Sequence, residues 1–414
     1  MNASETLRLP MTFWWANFAQ FGSALNDVMF KFIVIYALIA WQGSEYAPQV
    51  LASVGITLAL PVILILPIAG SVADHFSKRS VIATLKVSEI LILGFTVISL
   101  TLQNVALVYV SIVLMASHYA FFTPCKFAII PELVGDLRLS RANGHIQLFT
   151  FLALLLGTLL APRLSLAMNG SYDLALCFCI PIAVSNLICA VRIGKTPAHM
   201  QRKIRINGAR MILKALNIIR SQRSLLGSVL AISLFSLIAV YCQMNIINYG
   251  SEHLSMSPEV STYLFLVAAV GIGIGSLITG LISGKSIVLA YIPAGSAIMF
   301  ACLAILGLLP DGALVPVGIC MLVFGLGAGA YLVPLESYLQ LKSPSDRIGS
   351  IKATNGLMNW VGILIASGLV HLFSTILELH AKTGFLLLSL LLFGLFVSTL
   401  WLHPDCRPKF RSRA

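Results

Sequence analysis

Charged residues are scarce in this sequence. Only 10% of its 414 residues are Asp, Glu, Lys or Arg, whereas a soluble domain typically carries about a quarter. Hydrophobic residues make up 58% of the chain, and the mean hydropathy is +0.94. This composition is typical of a protein embedded in a lipid bilayer, and it excludes an ordinary soluble domain.

The cysteines do not follow the pattern of a disulfide framework. Seven of the eight fall within or at the edge of apolar segments, and the eighth, Cys406, lies in the C-terminal tail. Cys177 and Cys179 would lie on different faces of a helix, and no histidine cluster accompanies them. We interpret the cysteines as small, polarizable core residues.

Motifs for catalysis and for metal binding are also missing. His118, His145 and His371 are scattered singly, and no zinc spacing, catalytic triad or pair of catalytic acids is present. The glycine-rich run at 271–276 lacks the preceding strand and the Gly-Lys-Ser/Thr ending of a phosphate loop, so we interpret it as a site of close helix packing. We expect no enzymatic activity, no metal and no cofactor.

Long apolar runs are what the sequence does contain. They are continuous rather than alternating, so they predict membrane-spanning helices and not the strands of a barrel. The first run is too long, and too polar at its centre, for a cleaved signal peptide, which makes it a retained helix. The twelve predicted spans are 12–40, 48–69, 81–102, 105–130, 144–168, 172–192, 225–249, 260–283, 286–307, 313–338, 352–374 and 382–402.

The basic residues predict the orientation of these spans. The connection 193–224 contains no acid, and its Lys and Arg residues, with those of the tail 403–414, account for much of the net charge of +12. Lys and Arg collect in cytoplasmic loops, so both termini are predicted to be cytoplasmic and a nucleic-acid partner is excluded. The same side holds Lys78, Arg79, Arg138, Arg141, Lys285, Lys342 and Arg347, and the other side holds Glu45, Asp173, Glu252, Glu259, Asp311 and Glu378.

Part of the basic connection has the periodicity of a helix. Residues 211–220 place apolar side chains on one face and basic ones on the other. Two interpretations remain open: an amphipathic helix on anionic membrane lipid, or a solvated linker that follows the positive-inside rule.

An internal repeat organises the spans. Gly70 near the end of span two and Gly280 near the end of span eight are 210 residues apart, and so are Pro124 in span four and Pro334 in span ten. Asn-Gly dipeptides at 143–144 and 355–356 are separated by 212 residues. We therefore predict two parallel six-helix halves, 1–192 and 225–402, joined by the linker 193–224 and followed by the tail 403–414.

One loop carries a recognisable signature. Residues 70–79, GSVADHFSKR, resemble the loop motif of the major facilitator superfamily, with His75 and Ser77 as departures. That resemblance implies an all-α fold of twelve helices and a gate whose contacts form in one conformation and break in another. The alternative interpretation is a positive-inside turn. The candidate gate residues are Gly70, Asp74, Lys78, Arg79, Lys126 and Glu132.

The roles of the gate residues follow from their chemistry. Gly70 allows two helices to approach closely. Asp74 can pair with a base or cap a neighbouring helix. Lys126 and Glu132 lie late in span four, near the predicted cytoplasmic face.

Three further segments resemble the lysophospholipid transporters within that superfamily. They are NDVMFK at 26–31, PCKFAIIPEL at 124–133 and RANG at 141–144, and the segment 334–340 resembles the equivalent region of the second half. Val28 departs from the family pattern, which has asparagine there.

This resemblance implies a transporter of a bacterial inner membrane that works by alternating access. It would move lysophospholipid, chiefly the ethanolamine form, to the cytoplasmic leaflet for re-acylation. The implied partner is a separate cytoplasmic acyltransferase or acyl carrier protein synthetase. Two alternatives remain open: a facilitator of a water-soluble solute, drug or metal ion, and a non-transporting membrane sensor or scaffold.

Ionisable residues inside spans are the candidates for binding substrate. Asp27 and Lys31 are one turn apart, so they can form an intrahelical pair, or meet an ammonium and a phosphate group respectively. The pair Lys86 and Glu89 is expected to be structural, close enough to the cytoplasmic end for a side chain to reach the interface. The remaining candidates are Asn26, Arg163, Gln243 and Glu336.

Overall fold

Fourteen α-helices form most of the part of the chain that the computed structural model describes, residues 8–198 and 208–402. Short 3₁₀ turns occur at Ser44–Tyr46 and Asp136–Arg138, and a π-helical turn at Leu372–Ile376 follows α13. The helices are α1 (Met11–Gln42), α2 (Ala47–His75), α3 (Lys78–Thr101), α4 (Val105–Val134), α5 (Leu139–Ala167), α6 (Tyr172–Cys177), α7 (Cys179–Val191), α8 (Gly208–Ser221), α9 (Arg223–His253), α10 (Pro258–Ile282), α11 (Tyr291–Leu308), α12 (Leu314–Lys342), α13 (Ile348–His371) and α14 (Ala381–Leu402).

The predicted twelve-helix fold in two six-helix halves is confirmed. Within the described residues, eleven segments are long and apolar enough to cross a membrane, one of them being α6 and α7 together. The apolar helix α14, of 22 residues, is the twelfth. We call α1–α7 the N half and α9–α14 the C half. The tail 403–414 and the linker residues 199–207, with the basic side chains predicted there, lie outside the described residues.

Two predicted spans begin elsewhere in the structure. The fifth begins at Leu139 rather than 144, and the ninth at Tyr291 rather than 286. The first turn of α5 is polar, so hydropathy misses it, yet Ser140 and Asn143 are buried there. A polar first turn can be buried at that position because protein, not lipid, packs against it.

Each half has its own apolar core. In the N half it includes Met29 and Ile33, and in the C half Tyr241, Met321 and Phe324. The seven cysteines among the described residues are all free, as predicted from their positions in apolar spans. Each half is therefore held together by packing, without a covalent cross-link within the described part of the chain.

The two halves meet at one end of the bundle. We call it the basic end, because the connections there contain Lys78, Arg138 and Arg347. A Cβ atom added to Gly144 on α5 would lie 3.1 Å from the Cα atom of Gly280 on α10. One added to Gly70 on α2 would lie 2.9 Å from the Cα atom of Ser350 on α13. Three of the glycines that mark the repeat, Gly70, Gly144 and Gly280, thus lie where the backbones of the two halves approach each other.

At the opposite end, hydrogen bonds tie together three parts of the C half. Asp311, in the α11–α12 connection, is hydrogen-bonded to His253 at 2.9 Å and accepts a hydrogen bond from Lys382 at 2.5 Å. These bonds lower the pKa of the Asp311 carboxyl below its ordinary value. Glu252 also accepts the backbone N–H of Ala381 at 2.8 Å. The end of α9 and the start of α14 are therefore fixed to each other.

The linker contains the predicted amphipathic helix, α8. It packs against α2, α9 and α13, with Ala215 and Ile219 buried. Leu213, Lys214 and Arg220 are exposed. The solvated-linker interpretation is wrong for this segment, because α8 is docked on both halves; its contact with anionic lipid remains a prediction.

Candidate functional site

A buried ion pair lies at the centre of the N half. The Lys86 ammonium is 2.9 Å from a Glu89 carboxylate oxygen, and both side chains have 0% exposure. Ser23 donates to Glu89 at 3.0 Å, and Asn26 donates to it at 2.9 Å. His118 lies 3.9 Å from Glu89. We call Ser23, Asn26, Lys86, Glu89 and His118 the N-half network.

The network corrects one prediction. Lys86 and Glu89 do pair, but neither reaches the interface, because both are enclosed by α1, α3, α4 and α7. Lys86 also donates to Ser23 and lies 3.8 Å from the centre of the Phe122 ring. Buried charges are tolerated only when they are paired and hydrogen-bonded. Asn26 donates as well to the Cys179 carbonyl at 3.1 Å, so the network fixes α1 against α3 and α7.

Asp27 follows Asn26 but has weaker local bonding. Its Oδ1 atom is buried and has no hydrogen-bond partner. The carboxyl interacts electrostatically with Glu89, Lys86 and Lys126. The expected pair with Lys31 is absent: the Lys31 side chain is exposed, and its ammonium lies 5.2 Å from the centre of the Phe32 ring. Asp27 thus has an unused acceptor atom.

The C half contains a second buried ion pair. Glu336 on α12 binds Lys352 on α13, and their side chains are 7% and 3% exposed. Sequence analysis identified Glu336 and missed Lys352. Lys352 lies five residues after Arg347, in a region where the positive-inside rule already predicts basic residues. The sequence feature that could have pointed to Lys352 was Asn355, which lies one turn further along the same helix.

Lys126 lies between the charges of the two halves. It interacts electrostatically with Asp27 in the N half and with Glu336 in the C half. Lys126 and Gln20 are the polar residues lining a small cavity between α1, α3, α4 and α5 that is otherwise apolar. The Lys352 ammonium lies 4.9 Å from the centre of the ring of Phe127, the next residue on α4. Lys126 on α4 is therefore within electrostatic range of one acid in each half, and the Glu336–Lys352 pair faces the same helix.

Asp74 connects the halves at the basic end. Its carboxylate accepts the backbone N–H of Gly349 at 2.7 Å, the N–H of Ser350 at 2.9 Å and the Ser350 hydroxyl at 2.5 Å. The first N–H groups of a helix have no partner within the helix, and an anion there is favoured by the helix dipole. Asp74 on α2 therefore caps α13 across the interface. We call this contact the Asp74 clasp.

A neutral contact joins α5 and α12 at the same end. Asn143 donates to Gln340 at 2.8 Å and to the Ser337 hydroxyl at 3.1 Å. Gln340 donates back to Asn143 at 3.2 Å. All three side chains are buried. The basic end is thus closed by polar contacts on both the α2 and the α5 side.

The other predicted residues lie elsewhere. Lys78 pairs with Glu132 at 2.5 Å within the N half, and Arg79 donates to the Val191 carbonyl at 2.7 Å, also within the N half. Arg163 on α5 and Gln243 on α9 are exposed, and the contacts described above include neither. The structure therefore brings together Asp27, Lys126 and Glu336, and separately Gly70 and Asp74.

The sequence was compared with models of known families. Residues 16–367 match the model described as Major Facilitator Superfamily. This chain belongs to the Major Facilitator Superfamily. It is accordingly a multi-pass membrane transporter.

Two relatives within the superfamily are both named as lysophospholipid transporters. The chain is 25% identical over 378 residues to a protein of Salmonella gallinarum named lysophospholipid transporter LplT, covering 89% of this chain and 91% of the relative. It is 26% identical over 325 residues to the protein of that name from Escherichia coli O139:H28, covering 78% of each.

Solved facilitator structures share the fold. The outward conformation of FucP superposes with a TM-score of 0.75 at 15% identity, covering 94% of this chain and 98% of FucP. The human organic anion transporter MFSD10 gives a TM-score of 0.74 at 16% identity, covering 95% of this chain and 99% of MFSD10. A bacterial homologue of the iron transporter ferroportin in its outward-facing state gives 0.71 at 14% identity, covering 94% and 99%. At these identities the likeness concerns the fold alone.

Proposed function

We propose that this facilitator moves lysophospholipid, with lysophosphatidylethanolamine as the main substrate, to the leaflet at the basic end. That leaflet is the cytoplasmic one of an inner membrane, where a separate acyltransferase or acyl carrier protein synthetase re-acylates the lipid. The carrying observation is the unpartnered acceptor of Asp27, which interacts electrostatically with the Lys126 cation. An acid and a base within electrostatic range of each other complement a zwitterionic headgroup, and the LplT relatives support this assignment.

The roles of the charges follow from their positions. The ammonium of the headgroup would bind the free oxygen of Asp27, and the phosphate would bind Lys126, because charge-assisted hydrogen bonds are the stronger ones. The single acyl tail would lie against apolar helix faces or in lipid. Lys31 is exposed one turn away and would attract the phosphate before it binds, so of its two predicted roles the contact with phosphate is kept and the pair with Asp27 is dropped.

The closed basic end defines the step that must follow binding. The substrate would enter from the opposite end, and release requires the Asp74 clasp and the Asn143–Gln340 contact to break. Alternating access by rocking of two halves about a central site is the general mechanism for such folds. Here the proposed site lies between α1 and α4 of the N half and α12 and α13 of the C half.

The test uses purified protein in liposomes with fluorescent lysophosphatidylethanolamine. We expect uptake by the wild type and at least a tenfold loss with Asp27→Asn, since about 1.4 kcal/mol of lost binding is tenfold. Glu45→Gln, which changes an exposed acid after α1, is the control and should transport normally.

Three outcomes would overturn the proposal. Uptake of a polar solute, but not of lysolipid, would indicate a water-soluble substrate. Partner binding without flux of any compound would indicate a scaffold. Normal lysolipid uptake by Asp27→Asn would remove Asp27 from the site.

A further inference from the structure

Helix α13 has a polar face near the charged site. Lys352, Asn355 and Asn359 are spaced i, i+3 and i+7, so they project from one side of the helix. Lys352 and Asn355 are 4% and 3% exposed, and Asn359 is half-buried. The Oδ1 atoms of both asparagines are buried without a hydrogen-bond partner. Buried carbonyl oxygens are normally paired, so this face has two unused acceptors.

Packing on either side shows where this face points. Gly349 and Ala353 lie on the neighbouring face, where they pack against α2 of the N half, and Gly362 on the other side packs against α9. The Lys352 ammonium lies 4.9 Å from the ring of Phe127 on α4. The polar face thus lies between α2 and α9. It is directed toward α4, the helix that carries Lys126.

Lys352, the charged residue of this face, is paired with an acid that an anionic group of the substrate could replace. Lys352 is bonded to Glu336, a carboxylate from its own half. A phosphodiester is also a monoanion with oxygens that accept from an ammonium, so it can replace Glu336 at Lys352 without changing the local charge. Glu336 would then be available, in addition to Asp27, to the cationic group of a lipid headgroup.

We propose that Lys352, Asn355 and Asn359 form a subsite for the glycerophosphate part of the substrate, and that the asparagines distinguish lysolipid from diacyl lipid. Lys352 binds the phosphate together with Lys126, which the proposed function already assigns to it. The free glycerol hydroxyl, which a diacyl lipid lacks, donates to the unused Oδ1 atoms of Asn355 and Asn359. This proposal rests on the proposed function and adds to it the group by which a lysolipid is recognised.

The expected selectivity follows from the cost of an unmade bond. Both acceptors are already buried, so a complex in which they receive no hydrogen bond is less stable, by about 1–3 kcal/mol, than one in which the hydroxyl donates to them; this corresponds to roughly five- to 150-fold in an equilibrium constant. A substrate with an acyl group or a hydrogen in place of the hydroxyl should be disfavoured by about that factor.

The experiment compares two substrates in liposomes containing the full chain. One is lysophosphatidylethanolamine, and the other is its analogue with hydrogen in place of the free glycerol hydroxyl. We expect the wild type to prefer the first by at least fivefold in kcat/KM. Asn355→Ala and Asn359→Ala should each reduce that preference toward one. Asn217→Ala, which removes an exposed amide on α8, is the matched control and should keep the wild-type preference.

The lysine is tested with the same pair of substrates. Lys352→Gln alone would leave Glu336 buried without a counter-ion, so the double variant Glu336→Gln/Lys352→Gln is the informative one. It should weaken transport of both substrates by a similar factor, because the phosphate is common to them. Lys342→Gln, at an exposed lysine near the same end, should change neither.

The outcomes separate the two proposals. Equal transport of both substrates by the wild type would overturn the subsite while leaving lysolipid transport intact. A preference that survives in both asparagine variants would also overturn it. No transport of either lipid by the wild type would instead overturn the proposed function.

Discussion

At the scale of single residues, the N-half network explains how Asp27 is positioned. Asn26 uses its amide to bind Glu89 and the Cys179 carbonyl, so it fixes the rotation of α1 about its axis. Asp27 is the next residue and therefore projects from an adjacent face, where its Oδ1 atom has no partner. The sequence motif thus places a structural amide beside the acid that we propose binds the substrate.

The network also supports a stability prediction. Glu89→Gln should destabilise the protein by about 3–5 kcal/mol, because it leaves the Lys86 ammonium buried without a counter-ion. Thermal unfolding in detergent, followed by the loss of the monodisperse peak, measures the effect. The double variant Lys86→Met/Glu89→Gln removes both charges and should recover much of the loss. Equal stability of Glu89→Gln and wild type would contradict the buried pairing.

Sequence reasoning located some of these residues and not others, for identifiable reasons. Asp27 and Glu336 are conspicuous because an acid is costly in an apolar run. Lys352 did not stand out, because the positive-inside rule already predicts basic residues at the basic end. The pairing of Lys86 with Glu89 was predictable from the i, i+3 spacing, whereas their complete burial depends on α1 and α4, which no local pattern reveals.

Val28 shows what the fold adds to a motif. It stands where the resembled family has asparagine. In the structure, Val28 packs against Gly157 on α5: a Cβ atom added to Gly157 would lie 2.7 Å from the Cβ atom of Val28. The residue that departs from the family motif therefore takes part in the packing of α1 against α5.

At the scale of helices, glycine controls the contact between the halves. Gly70 and Gly55 are both on α2, yet a Cβ atom at Gly70 would meet the backbone of α13, and one at Gly55 would meet nothing within 4 Å. Hydropathy places Gly55 inside the predicted span 48–69 and Gly70 just after it, and it does not distinguish how they pack. The close helix approach at Gly70 was predicted from the loop motif.

This contrast gives a matched pair of variants. Gly70→Leu should prevent α2 and α13 from touching, shift the protein toward forms open at the basic end and slow transport. Gly55→Leu should be close to wild type in both respects. Spin-label distances between Leu137→Cys and Ser345→Cys, which are exposed positions on the two halves at that end, report the separation. Unchanged distances in Gly70→Leu would show that the contact is not needed for closure.

At the scale of the whole molecule, the Asp74 clasp is a charged contact that breaks in every transport cycle of the proposed mechanism. Asp74→Asn keeps the shape but loses the negative charge and one acceptor. A lost cap costs about 1 kcal/mol, which is roughly a fivefold shift toward the form open at the basic end. The same pair of spin labels measures this shift. Asp136→Asn, at an exposed acid of the same end, is the control.

The fold as a whole was predictable because its signals are global. Apolar runs, loop charges and a repeat of about 210 residues all indicate the same architecture, and each is averaged over many residues. The first turn of α5 was missed because its polar residues are buried by the other half. Errors of this kind occur where the two halves meet, since hydropathy describes contact with lipid and not with protein.

The repeat is imperfect at one informative position. The offset that relates Gly70 to Gly280 relates Asp74 to Gly284, which has no side chain. Both sides have close glycine packing, but the α2–α13 side adds bonds to a carboxylate, whereas the α5 side adds bonds between neutral amides. Only the bonds to the carboxylate can be lost by a change of charge, so we take the α2–α13 side as the one that separates. We expect the basic end to open like a hinged door, with its axis at α5 and α10 and its aperture at α2 and α13. Such an aperture faces sideways, so an amphiphile leaving through it would pass directly from protein into one leaflet.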